Sequence, residues 1–140
     1  MPFIVWNDRL SVGIVEIDRD HKQLVRLLNA LYDAIHDGRS REELGGILAR
    51  LTDYAGYHFE REEVLFLDTE YPDKNFHIEE HTRTAAWISD LRSRFAGGSA
   101  RGPSLEAVNY LKDWLFDHIL GTDKEFVPYV AARLTASGLE

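Results

Sequence analysis

A His and a Glu stand four apart at His58 and Glu62, and after a Tyr71-Pro72 turn two His stand four apart at His77 and His81. Side chains four apart on a helix lie one turn above the other, about 6 Å between Cβ atoms, so each pair can aim two donor atoms at one metal ion. His21 lies upstream of them, and His118 with Asp123 lies downstream. The chain has no cysteine, which excludes disulfides and thiolate ligands, so a metal must sit on imidazole and carboxylate. Two helices carrying such pairs face to face make a metal-binding core. The whole set reads as a buried dinuclear site in a helical bundle.

Four periodic stretches must position these groups. Residues 1–18 read as an arm, with an apolar knot from Phe3 to Trp6 that is expected to pack across the open end of the bundle and hide Trp6. Asp18 is the expected N-cap of a helix over about 19–37, in which Ile17, His21, Leu24, Val25, Leu28, Leu31, Tyr32 and Ile35 keep a 3.6-residue spacing before Gly38. His36 falls off that stripe, on the solvated side. Ser40 and Glu43 form a capping box for a helix over about 41–68, whose inner stripe from Leu44 to Phe66 contains His58 and Glu62. Glu60, Arg61 and Glu63 fall on the opposite, solvated face. Pro72 opens a helix over about 73–96, with His77, His81, Thr84, Ala85, Ile88, Leu91 and Phe95 inward. Ser104 opens a fourth over about 104–120, with Val108, Leu111, Leu115, His118 and Ile119 inward. Five residues of ideal helix turn through about 500°, so His118 and Asp123 cannot share a face of an unbroken helix. Gly121 is therefore expected to end it, with Thr122 and Glu125 restarting a short C-terminal segment over 122–135 that Pro128 interrupts. The pattern is all-α: an up-down-up-down four-helix bundle with an N-terminal arm and a short C-terminal helix, one domain over 1–140.

Each polar group also has a plain reading. His21 alone is a core histidine bonded to a neighbour, and Asp123 alone is a first-turn partner of a helix dipole. Together they put five imidazoles and a carboxylate on inward positions at about one level of four helices. A buried Glu62 with no cation beside it costs several kcal/mol. A hydrogen-bond network of this size in a core without metal is rare. His77-Ile78-Glu79-Glu80-His81 also matches HxxEH, the pattern of a zinc peptidase helix, but that reading leaves His21, His58, Glu62 and His118 without a role.

One hundred and forty residues, 44% hydrophobic and 29% charged, suit one soluble core. A formal charge of −8 repels phosphate backbones and anionic membranes, so neither nucleic acid nor membrane insertion is expected. The apolar run Phe3–Trp6 is too short for a signal peptide, and a cytoplasmic protein is the expectation.

The segments SVGIVEIDRDHKQL, YAGYHFEREE, YPDKNFHIEEH and WLFDHILGTDKEF, in this order, resemble the hemerythrin family, most closely its single-domain bacterial form, over nearly the whole chain. The resemblance implies two iron ions. One is held by His77, His81 and His118, the other by His21 and His58, with Glu62, Asp123 and an oxo or hydroxo group bridging them. The second iron then keeps one open position, where O2 binds reversibly and is held as a hydroperoxide. The resemblance implies the same net charge in the core before and after, so no ion need enter or leave it when the reaction runs backwards. The implied function is oxygen storage, delivery or scavenging with no catalytic residues, and the protein that receives the O2 is not indicated. A peroxide- or nitric-oxide-reducing di-iron enzyme and an O2 or redox sensor module are the alternatives. By spacing, Leu24, Trp114, Leu115 and Ile119 are candidates for the apolar wall of the ligand pocket. Thr84 stands where family members often carry a bulky apolar residue, and is expected to widen access.

Overall fold

The computed structural model describes residues 3–96 and 104–136. Helices α1 (Val15–His36), α2 (Arg41–Leu67), α3 (Lys74–Ala96) and α4 (Leu105–Asp117) form an up-down-up-down bundle. A single π-helical turn (His118–Asp123) then joins α4 to α5 (Lys124–Ala136). Among the described residues there is no strand, and no helix is long and apolar enough to cross a membrane.

The expected stripes are the buried ones. Leu24, Leu28 and Leu31 of α1 pack with Ile47, Leu48 and Leu51 of α2, Ile88 and Leu91 of α3, and Val108 and Leu111 of α4. Each such side chain, fully buried, contributes about 1.5–3 kcal/mol, and this apolar layer holds the lower half of the bundle. Ser40 and Ser104 cap α2 and α4 by accepting from the N–H groups of Glu43 and Ala107, both at 3.1 Å. Between α1 and α2, Gly38 takes φ +64°, a left-handed conformation that a side chain would strain.

Three expectations about the ends do not hold. Asp18 is not the N-cap of α1: the helix starts one turn earlier, with Ile14 at the cap position and no side-chain bond there. The Asp18 carboxylate instead accepts from the Ser11 hydroxyl (2.5 Å) and the Val12 N–H (2.8 Å), pinning the arm to the first turn. The arm itself runs along the α1 and α4 flank and does not cross an end. Ile4 exchanges backbone bonds with the Asn29 amide (2.7 and 2.9 Å), Phe3 stacks on Tyr32 at 4.2 Å, and Lys124 donates to the Arg9 carbonyl (3.1 Å). Trp6 is only partly buried, its ring facing the Lys22 ammonium at 5.4 Å. Finally, Pro128 does not interrupt α5. Proline in a helix interior costs about 3 kcal/mol, but Phe126 and Val130 on either side of it are both fully buried and offset that cost.

Candidate metal centre

One turn above the apolar layer, every helix of the bundle delivers a polar group inward. His21 comes from α1, His58 and Glu62 from α2, His77 and His81 from α3, and His118 and Asp123 from the π-helical turn. All seven are at most 1% exposed.

The π-helical turn is what brings the last pair together. Its hydrogen bonds close from residue i to i+5, so residues five apart stack one above the other, where an α-helix would have turned Asp123 away. His118 Nε2 and Asp123 Oδ1 are 2.9 Å apart. The helix therefore does not end at Gly121 and restart at Thr122, as the ideal-helix calculation required; it widens for one turn and continues. The Thr122 hydroxyl donates to Glu80 at 3.4 Å and makes no cap.

The two carboxylates divide the imidazoles into two sets. Glu62 Oε2 faces His58 Nε2 (3.0 Å) and His21 Nε2 (3.5 Å), whereas Oε1 faces His81 (2.9 Å), His118 (3.1 Å) and His77 (3.5 Å). Asp123 repeats the division, with Oδ2 at 2.9 Å from His21 and Oδ1 near His118 (2.9 Å) and His77 (3.3 Å). Although these gaps are short, the Nε2 atoms of His21, His58, His77 and His81 and the oxygens Glu62 Oε2, Asp123 Oδ1 and Asp123 Oδ2 have no hydrogen-bond partner. Seven buried polar atoms left this way would be prohibitive without a cation. Two donors each about 2.1 Å from one ion and at right angles stand about 3 Å apart, which is the spacing found. The site's residues therefore fit a metal ion, and two overlapping donor groups share Glu62 and His118.

Electrostatics point the same way. Burial alone would push the His58 and His118 imidazoles down, but the carboxylates outweigh it. Glu62 and the Asp20 hydrogen bond raise His58 to about 9, and Asp123 with Glu62 raises His118 well above the usual value. Burial would likewise raise Glu62, yet the His58 and His118 charges hold it well below the carboxylate range. A cluster that binds protons this firmly when empty is one that exchanges protons for metal. Aromatic rings wall it: Phe59 stacks on His81 at 4.3 Å, Trp114 on His118 at 4.8 Å, and Phe66 lies 4.8 Å from His77.

Sequence reasoning missed the partners outside the ring of imidazoles. Glu63 and Arg61, assigned to the solvated face, are not free there: Glu63 Oε2 accepts from His81 Nδ1 (2.8 Å), and Arg61 Nε pairs with Asp20 (2.9 Å). Asp20 accepts from His58 Nδ1 (3.0 Å), and the Tyr71 oxygen lies 3.2 Å from His77 Nδ1. Asp20 and Glu63 each neighbour an inward residue in sequence, which is the only signal that could have found them. Glu80, the base of the HxxEH alternative, is turned outward beside His118 Nδ1 at 4.0 Å, while His77 and His81 both belong to the larger cluster. His36 is exposed, as expected.

Residues 12–130 match the family model described as Hemerythrin HHE cation binding domain. The chain is 35% identical over 130 residues to a protein named bacteriohemerythrin from Pseudomonas aeruginosa (strain UCBPP-PA14), covering 93% of this chain and 83% of that one. It is 32% identical over 133 residues to the bacteriohemerythrin of Methylococcus capsulatus, covering 94% of this chain and all of that one. Among solved structures, a wild-type hemerythrin crystal structure superposes with a TM-score of 0.85 at 29% identity, covering 91% of this chain and 98% of that one.

Proposed function

The chain belongs to the hemerythrin family, and on that premise we propose that it binds O2 reversibly at a pair of iron ions held by His21, His58, Glu62, His77, His81, His118 and Asp123. The observation that carries this reading is the unequal division of the imidazoles. With Glu62 and Asp123 each offering one oxygen to either set, His77, His81 and His118 serve one ion and only His21 and His58 the other. One ion is left a donor short, which is where a small ligand enters. The iron pair, when bound, supplies two electrons that O2 takes up on binding and returns on release.

The remaining residues keep the site dry. A small apolar cavity of about 10 Å³ lies within the bundle, and four residues of its lining, Leu24, Ala55, Trp114 and Leu115, stand three or four positions from a donor in the sequence. That is about the smallest space that admits a molecule of water size, and carbon side chains give water nothing to bond. Ile119 is buried but does not line the cavity, and neither does Thr84, which is itself buried one turn from His81. Among the described residues, every acid within reach is committed: Glu62 and Asp123 face inward, and Asp20, Glu63 and Glu80 sit beside outer imidazole nitrogens. No spare proton donor faces the cavity. That favours holding O2 over reducing it, since reduction of peroxide or nitric oxide consumes protons. The test is to load the protein anaerobically with ferrous iron, admit air, and follow the visible absorption. A band that appears in air and vanishes under vacuum over repeated cycles is expected. Steady decay with product formation would replace this reading with an enzymatic one.

A further inference from the structure

Because every imidazole turns Nε2 inward, each presents Nδ1–H to the outside, and what accepts that hydrogen differs in number between the two halves of the centre: two partners in one, a single one in the other. In the half with three imidazoles, His77 has the Tyr71 oxygen at 3.2 Å and His81 has Glu63 at 2.8 Å, while His118 Nδ1 has no hydrogen-bond partner, with Glu80 standing 4.0 Å away. In the half with two, the His21 Nδ1 is buried with no hydrogen-bond partner. Only His58 is anchored there, by Asp20 Oδ2 at 3.0 Å.

Asp20 is itself 1% exposed and its carboxylate is fully engaged. Its Oδ1 accepts from the Tyr54 hydroxyl at 2.9 Å, and its Oδ2 pairs with Arg61 Nε at 2.9 Å as well as with His58. Tyr54, Arg61 and Asp20 all line a hollow on the outer face of α1 and α2. One continuous set of contacts therefore runs from solvent to the inner face of the centre, and it reaches the two-imidazole half alone.

We propose that Asp20 is the positioning residue of the His21 and His58 half of the centre, and that Tyr54 and Arg61 hold it in place from the surface. A carboxylate accepting from Nδ1–H fixes the ring plane and the tautomer and makes Nε2 a stronger donor, an effect worth about 10–100-fold in metal affinity at other sites. In the three-imidazole half that task is shared, so no single outer residue has the same weight. The proposal rests on the dinuclear reading above for its assignment of halves. It adds that the half left a donor short is tuned by one carboxylate whose partners are accessible to solvent.

Stepwise affinities for cobalt(II), measured on the intact chain by chelator competition and by the cobalt absorption bands, test it. Asp20→Ala is expected to loosen one of two binding steps about 10–100-fold and to change the band set of that ion. Asp20→Asn, whose side-chain oxygen still accepts from Nδ1–H, loosens the same step by less. Glu63→Gln loosens the other step. Arg61→Ala, whose side chain is 31% exposed and can be removed without opening the core, repeats the Asp20 effect in weaker form and stands in for Asp20→Ala should that variant fail to fold. In the iron-loaded protein, loss of the carboxylate raises the reduction potential of one ferric ion. Equal loosening of both steps by Asp20→Ala, or loosening of the same step by Asp20 and Glu63 variants, overturns the proposal. A wild type that takes up a single ion overturns the dinuclear reading with it. A wild type that takes up two, with Asp20→Ala indistinguishable from it, overturns this proposal alone.

Discussion

The layer around Leu31, Leu48 and Leu111 and the layer around Glu62 are built on the same four helices, yet they are held by different physics. In the apolar layer, burial is non-directional: any aliphatic side chain of suitable volume satisfies it, and nothing outside the layer needs to be arranged. In the polar layer each group must point, so an outer shell of Asp20, Glu63 and Tyr71, a wall of aromatic rings and a widened helical turn are all recruited to aim seven side chains. The first layer makes the bundle stable. The second uses some of that stability to keep buried donors unpaired.

The sharpest way to separate the layers is Glu62→Ala, which removes a donor common to both halves. It is expected to abolish stoichiometric binding of both ions, read as metal per chain by elemental analysis, while the far-ultraviolet circular dichroism stays helical. Leu48→Ala does the reverse. The void left by this truncation lies far from the donors, so chemical denaturation should show a loss of about 2–5 kcal/mol with metal stoichiometry retained. If either variant fails both measurements together, the two layers are not independent. Leu115 sits on the boundary, lining the cavity and packed one turn below His118. Leu115→Asn admits water without removing a donor, and is expected to speed autoxidation of the oxygenated protein several-fold, on the scale of about 1 kcal/mol in the barrier. An unchanged autoxidation rate would take Leu115 out of the ligand pocket.

A further effect is one of pH, in protein stripped of metal. His58 is raised to about 9, with His77 and His118 also raised, against an unfolded value of about 6.5. Groups raised in the folded state stabilise it fully below the unfolded value and lose that contribution as pH climbs through the folded one. The melting temperature of the stripped protein should therefore fall between about pH 6.5 and 9. The metal-loaded protein should show no such fall, because the ion has displaced those protons. Parallel melting curves would mean that the polar layer holds its shape without either.

Much of this was legible in the sequence because the polar groups fall on the inward stripe. His21, His58, Glu62, His77 and His81 each occupy a position that 3.6-residue periodicity assigns to the core, and the structure buries all of them. What the pattern could not supply is of two kinds. Periodicity assumes a regular helix, so it turned Asp123 away from His118 and broke the chain at Gly121, where the observed turn is wider. Outer partners such as Asp20 and Glu63 lie on the margin of the stripe, where a charged residue facing solvent and one reaching back to an imidazole share the same spacing. Asp18 was misassigned for a related reason: a carboxylate before an apolar run suits a cap, but the Ser11 and Val12 groups that claim it lie in an arm with no periodicity.

The widened turn between α4 and α5 has one more consequence, for how such a chain tolerates editing. A wide turn amounts to one surplus residue within otherwise regular helix. Deleting one of residues 119–122 would let that stretch rewind as regular α-helix with His118 and Asp123 four apart, still on one face, and with Phe126 and Val130 still turned to the core. The same deletion in the regular part of α4 would rotate everything beyond it by about 100° and carry the last donors away from the rest. The wide turn is thus the one place in this pair of helices where the chain can shed a residue and keep its phase.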